Sequence, residues 1–250
     1  MLIFISVVND YKLYKTCIKE NEFLQKNNIR IFDYDNTNNN IPIPIRYNDF
    51  LNSYNYDNEA WLCFCHCDWQ PLENIQKITQ SFDKNSLYGP IGFKLEFFNN
   101  KYIYIPKGHC DEKNKDGSFL RTVDELNCKT FDVDTFDCQA IFIHSSLIKK
   151  YNLRFDENLE WHLYVEDFCI NAKRNYNIIS YAKKIECCHW CGWHDDLTLY
   201  NQTLKYINKK YPNDIYGGTM SVIGDKRVEK ATTKEILLHK LYSNIRRENG

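Results

Sequence analysis

The chain alternates between short, unbroken apolar runs and longer stretches in which apolar residues recur every three or four positions. A run of about 4–8 apolar residues fits a strand covered on both faces, and the second pattern fits a helix with one buried side. Leu2 to Val8 reads as the first strand. Tyr11 to about Lys26 reads as a helix, with Leu13, Cys17, Ile18 and Leu24 at helical spacing and Asn9 or Asp10 placed to cap it. Ile29 to Phe32 is the second strand, ending at Asp33-Tyr34-Asp35-Asn36. The prolines of Ile41-Pro42-Ile43-Pro44-Ile45 predict an extended, non-helical segment before a short helix over Tyr47 to Tyr54. Trp61 to Cys67 is the third strand, and the β-α-β-α-β order predicts a parallel sheet with right-handed crossovers.

The middle is less regular. Pro71 is expected to open a helix to about Phe82, and Leu87 to Gly92 is rich in turn residues. Lys94 to Phe98 and Tyr102 to Ile105 flank Asn99-Asn100, the pattern of a hairpin. Lys107 to Leu120 is polar with two glycines and reads as a mobile loop. Short helices are expected from Ser145 to about Asn152 and from Val165 to Asn175, with a further strand inside Ile178 to Cys188. No repeat and no clean linker interrupts residues 1–224, which therefore read as one α/β domain. Residues 225–250 carry seven Lys or Arg against four Asp or Glu, with Leu237, Leu241 and Ile245 at i, i+4 spacing. That is a basic amphipathic helix, expected to cover the domain or a second subunit, or to lie on an anionic membrane surface.

Composition narrows the class. At 250 residues, 43% hydrophobic and 15% aromatic, the chain can bury a substantial core. Its net charge of -1 provides no field for nucleic acid. No apolar run approaches the roughly 18–20 residues of a membrane span. The opening strand lacks the basic flank of a secretory signal, so the 11 cysteines are expected to be reduced, in a cytoplasmic protein.

Three places carry chemistry. The first is Cys65-His66-Cys67-Asp68-Trp69, where a buried strand ends in a carboxylate. Ligands of open α/β sheets bind beyond the carboxyl ends of strands, and a charge stays there only if something compensates it. The second is Glu166-Asp167, which opens a helix. Acids at a helix start are favoured by its dipole, and one of them can also serve as a general base. The third is Glu186 to Asp196, with His189, His194 and three cysteines in eleven residues. Cys188 and Cys191 form a C-x-x-C pair, but the other half of a zinc site would need Cys65 and Cys67, whose spacing is tighter than ordinary zinc ligand pairs.

Taken in order, these features resemble family 2 glycosyltransferases of the GT-A fold. The resemblance rests on the opening strand ending in Val8-Asn9-Asp10 and on a second strand ending in Asp33 or Asp35. It rests further on His66-Cys67-Asp68 where the family has Asp-x-Asp, on Phe155 to Leu159 ahead of Glu166-Asp167, and on His189 beyond the next strand. It implies a mostly parallel central sheet flanked by helices, with a small hairpin region. It also implies an inverting, metal-assisted transfer of a sugar from a nucleotide-diphosphate donor, UDP-linked, to a glycan or lipid-linked hydroxyl, as in bacterial surface or capsular polysaccharide assembly at the inner face of the membrane. On that likeness Asp68 holds Mn²⁺ or Mg²⁺, and His189 completes the shell with His194 as substitute. Val8, Asn9, Asp10, Asp33, Asp35, His66 and Trp69 line the nucleotide-sugar site. Asp167 is the base, and Glu166 orients it or touches the acceptor. Two other readings stand beside it. A nucleotidyltransferase on a related sheet would want a glycine-rich loop after the first strand, which Val7 to Lys12 lacks. The other is a non-catalytic zinc- or glycan-binding module.

Overall fold

A computed structural model describes residues 1–114, 116–124, 130–190 and 197–225. The chain starts with strand β1 (Leu2–Val8) and helix α1 (Tyr11–Tyr14), then a π-helical turn at Lys15–Lys19 and helix α2 (Glu22–Lys26). The single helix expected here is broken because the buried Asn21 side chain caps a second start, accepting from Phe23 N and Leu24 N. Strand β2 (Arg30–Asp35), helix α3 (Ile43–Ser53) and strand β3 (Trp61–His66) follow. Pro44 sits in the first turn of α3, where a missing N–H costs nothing, so Ile43 to Ile45 is helical and not extended. Next come β4 (Trp69–Pro71), α4 (Ile75–Thr79) and β5 (Ser86–Gly89). Pro71 thus ends a short strand, and the helix after it is one short piece capped by Asn74.

Strands β6 (Ile91–Phe98) and β7 (Lys101–Lys113) form the expected hairpin, with Asn99 and Asn100 both at positive φ between them. Most of the segment read as a mobile loop is instead strand, with Lys107 to Lys113 in β7 and Phe119 and Leu120 at the start of β8 (Phe119–Asp124). Gly108 misled the reading. It lies inside the strand at φ +105°, where a Cβ would meet Pro90 O at 2.0 Å, so its role is a close backbone approach. The remaining elements are β9 (Thr130–Val133), β10 (Thr135–Phe136), β11 (Ala140–His144), α5 (Ser145–Tyr151) and α6 (Tyr164–Tyr176). After them come β12 (Ile179–Lys183), β13 (Cys187–His189), α7 (Thr198–Lys210), β14 (Ile215–Gly218) and β15 (Ser221–Gly224).

The central sheet is seven-stranded, in the order β2-β1-β3-β11-β5-β12-β9. Its first part, β2-β1-β3, is parallel as the sequence order predicts, while β11 runs antiparallel to both β3 and β5, making the sheet mixed. Alternation along the strands buries both faces. Ile3, Ile5, Leu62 and Phe64 pack with residues of α3, α5 and α6 on one side. Phe4, Cys63, Cys65 and Cys67 pack with residues of the α1–α2 segment on the other. A second sheet, β10-β6-β7-β13-β4, carries β4 directly after β3, and this connection positions the site. Among the described residues no helix is long and apolar enough to cross a membrane. The expected amphipathic helix over 225–250 lies outside the described residues, apart from Asp225.

Candidate functional site

Strands β1 and β3 run parallel and finish side by side, so Asn9 and Asp68 emerge at one end of the sheet. A shallow cleft of about 60 Å³ opens there, lined by Val7, Asn9, Ile43, Tyr47, His66, Cys67 and Asp68. This is the place the strand-end rule assigns to ligands. The Cys67 thiol donates to Asn9 Oδ1 at 3.0 Å and ties the two strand ends together. Asp10 is taken up as the cap of α1, accepting from Lys12 N and Leu13 N.

Asp68 meets two imidazoles. β4 follows it at once and pairs antiparallel with β13, setting His189 opposite Trp69, and Trp190 N donates to the Asp68 carbonyl at 3.0 Å. His189 Nε2 therefore lies 3.3 Å from Asp68 Oδ1, and His66 Nδ1 lies 3.9 Å from the same oxygen. Asp68 Oδ1 is inaccessible to solvent and makes no hydrogen bond. Burial pushes the Asp68 carboxyl up, but His189 and His66 outweigh it and hold the group below the usual carboxylate range. Burial lowers the His66 imidazole, against the pull of Asp68. Ligand atoms from His66, Asp68 and His189 lie within 4.8 Å of one another, the one such group among the described residues able to hold a metal ion. Two ligands on an ion at about 2.1 Å can span up to roughly 4.2 Å, so both contacts to Asp68 fit a shared ion. A buried carboxylate oxygen without a hydrogen bond, flanked by two ring nitrogens, suits a divalent cation.

The acid pair sits on α6. Leu163, just ahead of the helix, is buried at φ +61°, a left-handed conformation that costs a leucine roughly 1–3 kcal/mol and reverses the chain into the helix. Glu166 and Asp167 then point into different surroundings. Glu166 is 0% exposed. Its Oε2 accepts from the Cys138 thiol at 3.4 Å, while its Oε1 is buried with no hydrogen bond. Burial lifts its carboxyl to about 7, and the nearby Asp137 charge adds to the rise. Asp167 is 2% exposed. Lys210 Nζ lies 2.8 Å from its Oδ1 and 2.9 Å from its Oδ2, and the Tyr211 hydroxyl donates to Oδ1 at 2.8 Å. The same ammonium reaches Asp156 Oδ2 at 2.7 Å. Burial raises the Asp167 carboxyl above its ordinary value despite these partners, and Asp156, in spite of its own burial, is held down to about 2. Both oxygens of Asp167 are thus committed to the α6–α7 contact, which leaves it none for a substrate hydroxyl and argues against the role of base.

The segment between β10 and β11 joins the two places. His66 N donates to the Gln139 carbonyl at 3.0 Å, and Cys138 in the same segment touches Glu166. The other expected residues fall as follows. Val8 is buried at the end of β1, and Asn9 reaches the cleft. Asp33 and Asp35 are exposed on edge strand β2, with Asp35 Oδ1 accepting from Thr37 N and Oγ1. Trp69 is 0% exposed and packs on Phe4 and Phe142, so it offers no face to a sugar. His194 lies outside the described residues. Cys65, Cys67, Cys187 and Cys188 are buried free thiols. The sequence reading missed Tyr47 in the cleft, Cys138 beside Glu166 and the Lys210–Tyr211 clamp. The last had no local signal, since its residues are 43 and 44 positions from Asp167.

No protein-family profile and no curated protein matches the sequence. Among solved structures the chain is similar to A197 from STIV, with 15% identity and a TM-score of 0.42 over 76% of this chain and 86% of that one. It is also similar to S. aureus TarS 1-349, with 13% identity and a TM-score of 0.46 over 84% of this chain and 64% of that one. A structure of TarS 1-349 in complex with UDP aligns with a TM-score of 0.45, at the same 13% identity and the same coverage.

Proposed function

We propose that the protein is a metal-assisted, inverting glycosyltransferase acting on a nucleoside-diphosphate sugar. The observation that carries the reading is the set of His66, Asp68 and His189 around one buried carboxylate oxygen at the ends of β1 and β3. Bound there, Mn²⁺ or Mg²⁺ would supply Lewis-acid stabilisation of the charge that builds on the departing diphosphate. Asp68 gives the hard oxygen ligand, and His66 and His189 give nitrogen ligands that favour Mn²⁺ over Mg²⁺. At about 60 Å³ the cleft is far below the roughly 300–1,000 Å³ of an enclosed ligand pocket. The nucleotide would lie across the strand ends, beside Asn9 and Tyr47.

Glu166 is the base in this reading, in place of Asp167. Glu166 is 0% exposed, so an acceptor hydroxyl would have to displace part of its packing to reach Oε1, the oxygen that makes no hydrogen bond. A carboxyl near 7 is matched to taking a proton at neutral pH, because a base must be ionised yet still hold the proton it takes. The Cys138 thiol would keep Oε2 in place. Asp167 would fix the helix and not touch the acceptor.

A thermal-shift panel of UDP, GDP, CDP and ADP with and without Mn²⁺ tests the assignment. Ligand at a hundred times its dissociation constant stabilises by about 2.7 kcal/mol, which for this size moves the midpoint by roughly 5–10 °C. One nucleotide is expected to respond only with Mn²⁺, and Asp68→Asn to abolish the response. Silence across the panel would remove the transferase reading. The same donor set supports one other reading, a zinc site, since two imidazoles and a carboxylate are also zinc ligands. Stoichiometric zinc that survives chelation, with no nucleotide response, would replace the first reading with that one.

A further inference from the structure

His66 has two ring nitrogens, and only one of them faces Asp68. The other, Nε2, lies 2.8 Å from the hydroxyl of Tyr164, and Nδ1 lies 3.9 Å from Asp68 Oδ1. Tyr164 is fully buried between Tyr47 and Phe155 and belongs to the first turn of α6, two residues before Glu166. A phenol held this rigidly can donate or accept, so it can serve either tautomer of His66. Once a cation takes the Nδ1 lone pair, the proton must sit on Nε2, where the Tyr164 oxygen accepts it. Ligating histidines commonly use their second nitrogen in this manner, and removing such an outer partner typically weakens metal affinity about 10–100-fold.

We infer that Tyr164 is a positioning residue for the cation site, fixing Nδ1 as the nitrogen that His66 presents and tying that ligand to the helix that carries Glu166. This rests on the assignment of His66, Asp68 and His189 to a metal. It adds a link between the two halves of the site. A displacement of the first turn of α6 moves the Tyr164 hydroxyl and Glu166 together, so seating of the cation and placement of the base share one element. Leu163, at φ +61°, immediately precedes that turn.

The test uses the full chain and Mn²⁺ alone, with free Mn²⁺ counted by its EPR signal. Tyr164→Phe is expected to weaken Mn²⁺ binding about 10–100-fold. Tyr56→Phe, packed against the same core but outside the cleft, is the matched control. It removes a hydroxyl that donates to the Leu51 carbonyl and touches no ligand ring, and it is expected to leave affinity within about threefold. In a His66→Ala background Tyr164→Phe should have no further effect, because a residue that acts through another loses its influence when the other is gone. Equal losses in the two tyrosine variants, a wild-type affinity in Tyr164→Phe, or an undiminished effect in the His66→Ala background would overturn the inference while leaving the metal site standing. Failure of the wild-type chain to bind Mn²⁺ would remove the site itself. Should Tyr164→Phe not fold, wild-type protein carrying Zn²⁺ gives the answer by long-range ¹H–¹⁵N NMR. Metal-bound Nδ1 at His66 supports the inference, and metal-bound Nε2 overturns it.

Discussion

Glu166 and Asp167 are neighbours in one helical turn, equally buried and alike in chemistry, yet their surroundings separate them. Asp167 faces α7, where Lys210 and Tyr211 satisfy both its oxygens. Glu166 faces the 137–139 segment, where a weak thiol donor meets one oxygen and the other has no hydrogen bond. A buried carboxylate with an ammonium partner is structural, because removing either member leaves a charge stranded. A buried carboxyl with an unmet acceptor and a value near 7 is poised to exchange a proton. The sequence feature that marks the pair, two acids at a helix start, does not say which is which. The partners do, and they come from elsewhere in the chain.

The largest effect that could break this contrast is on catalysis. Glu166→Gln keeps shape and volume but cannot take a proton, and it is expected to lower kcat by about 10²–10⁴-fold, the usual contribution of a general base. Nucleotide binding should survive. Asp167→Asn should retain most activity, since Tyr211 can still donate to the amide oxygen. Steady-state and single-turnover transfer assays on the two variants decide the matter. The opposite ranking would return the role of base to Asp167 and leave Glu166 as a core acid.

The contrast should invert for stability. Lys210→Met strips the ammonium from two carboxylates and leaves Asp167 buried and charged. Loss of one member of a buried pair costs about 3–5 kcal/mol. With 34% of the Lys210 side chain exposed, water offsets part of this, so about 3 kcal/mol is expected. Chemical denaturation at pH 7 measures it. In an Asp167→Asn background the same change should cost much less, because the stranded charge is gone. A loss below about 1 kcal/mol in the wild-type background would mean that the clamp is a surface pair and that Asp167 is as available as Glu166.

The parallel part of the sheet was readable in advance, since apolar runs ending in polar turns locate β1, β2 and β3. That His66 and Asp68 stand at the end of a strand was visible for the same reason, as a break in an apolar run, whereas His189 came from the resemblance and its approach to Asp68 follows from the β4–β13 pairing. Three features misled. Gly108 resembles a loop glycine but serves a close approach to Pro90 inside a strand. Pro44 resembles a helix breaker but occupies the one helical turn that tolerates it. Trp69, next to Asp68, was expected to line the nucleotide-sugar site, yet strand alternation turns it into the core. Each is a case in which a residue type has two physical uses and only the tertiary surroundings choose. The clamp on Asp167 was invisible because α7 is far along the chain and its register against α6 has no local signature.

The smallest expected effect is also the cleanest, because it reports on Glu166 without any substrate. Its folded value is about 7, against roughly 4.3 for an unperturbed glutamate. The raised value means that the folded protein holds a proton that the unfolded chain has released. Its contribution to stability is therefore complete below about 4.3, shrinks as pH rises, and is gone above about 7. The shift corresponds to at most about 3–4 kcal/mol, and relaxation around a buried carboxylate makes roughly 2 kcal/mol the expected swing. Asp156 works the other way and in a different window, since a value near 2 gives stability that is lost only as pH falls below about 4. Denaturation midpoints of wild type and Glu166→Gln, compared from pH 4.5 to 8, separate the two. The amide cannot titrate, so the difference between the curves should grow in favour of Glu166→Gln as pH rises and level off above 7. Parallel curves across that range would show Glu166 ionising at an ordinary value. In that case its burial would not be tuning it for proton transfer, and the difference drawn between the two neighbouring acids would lose its chemical meaning.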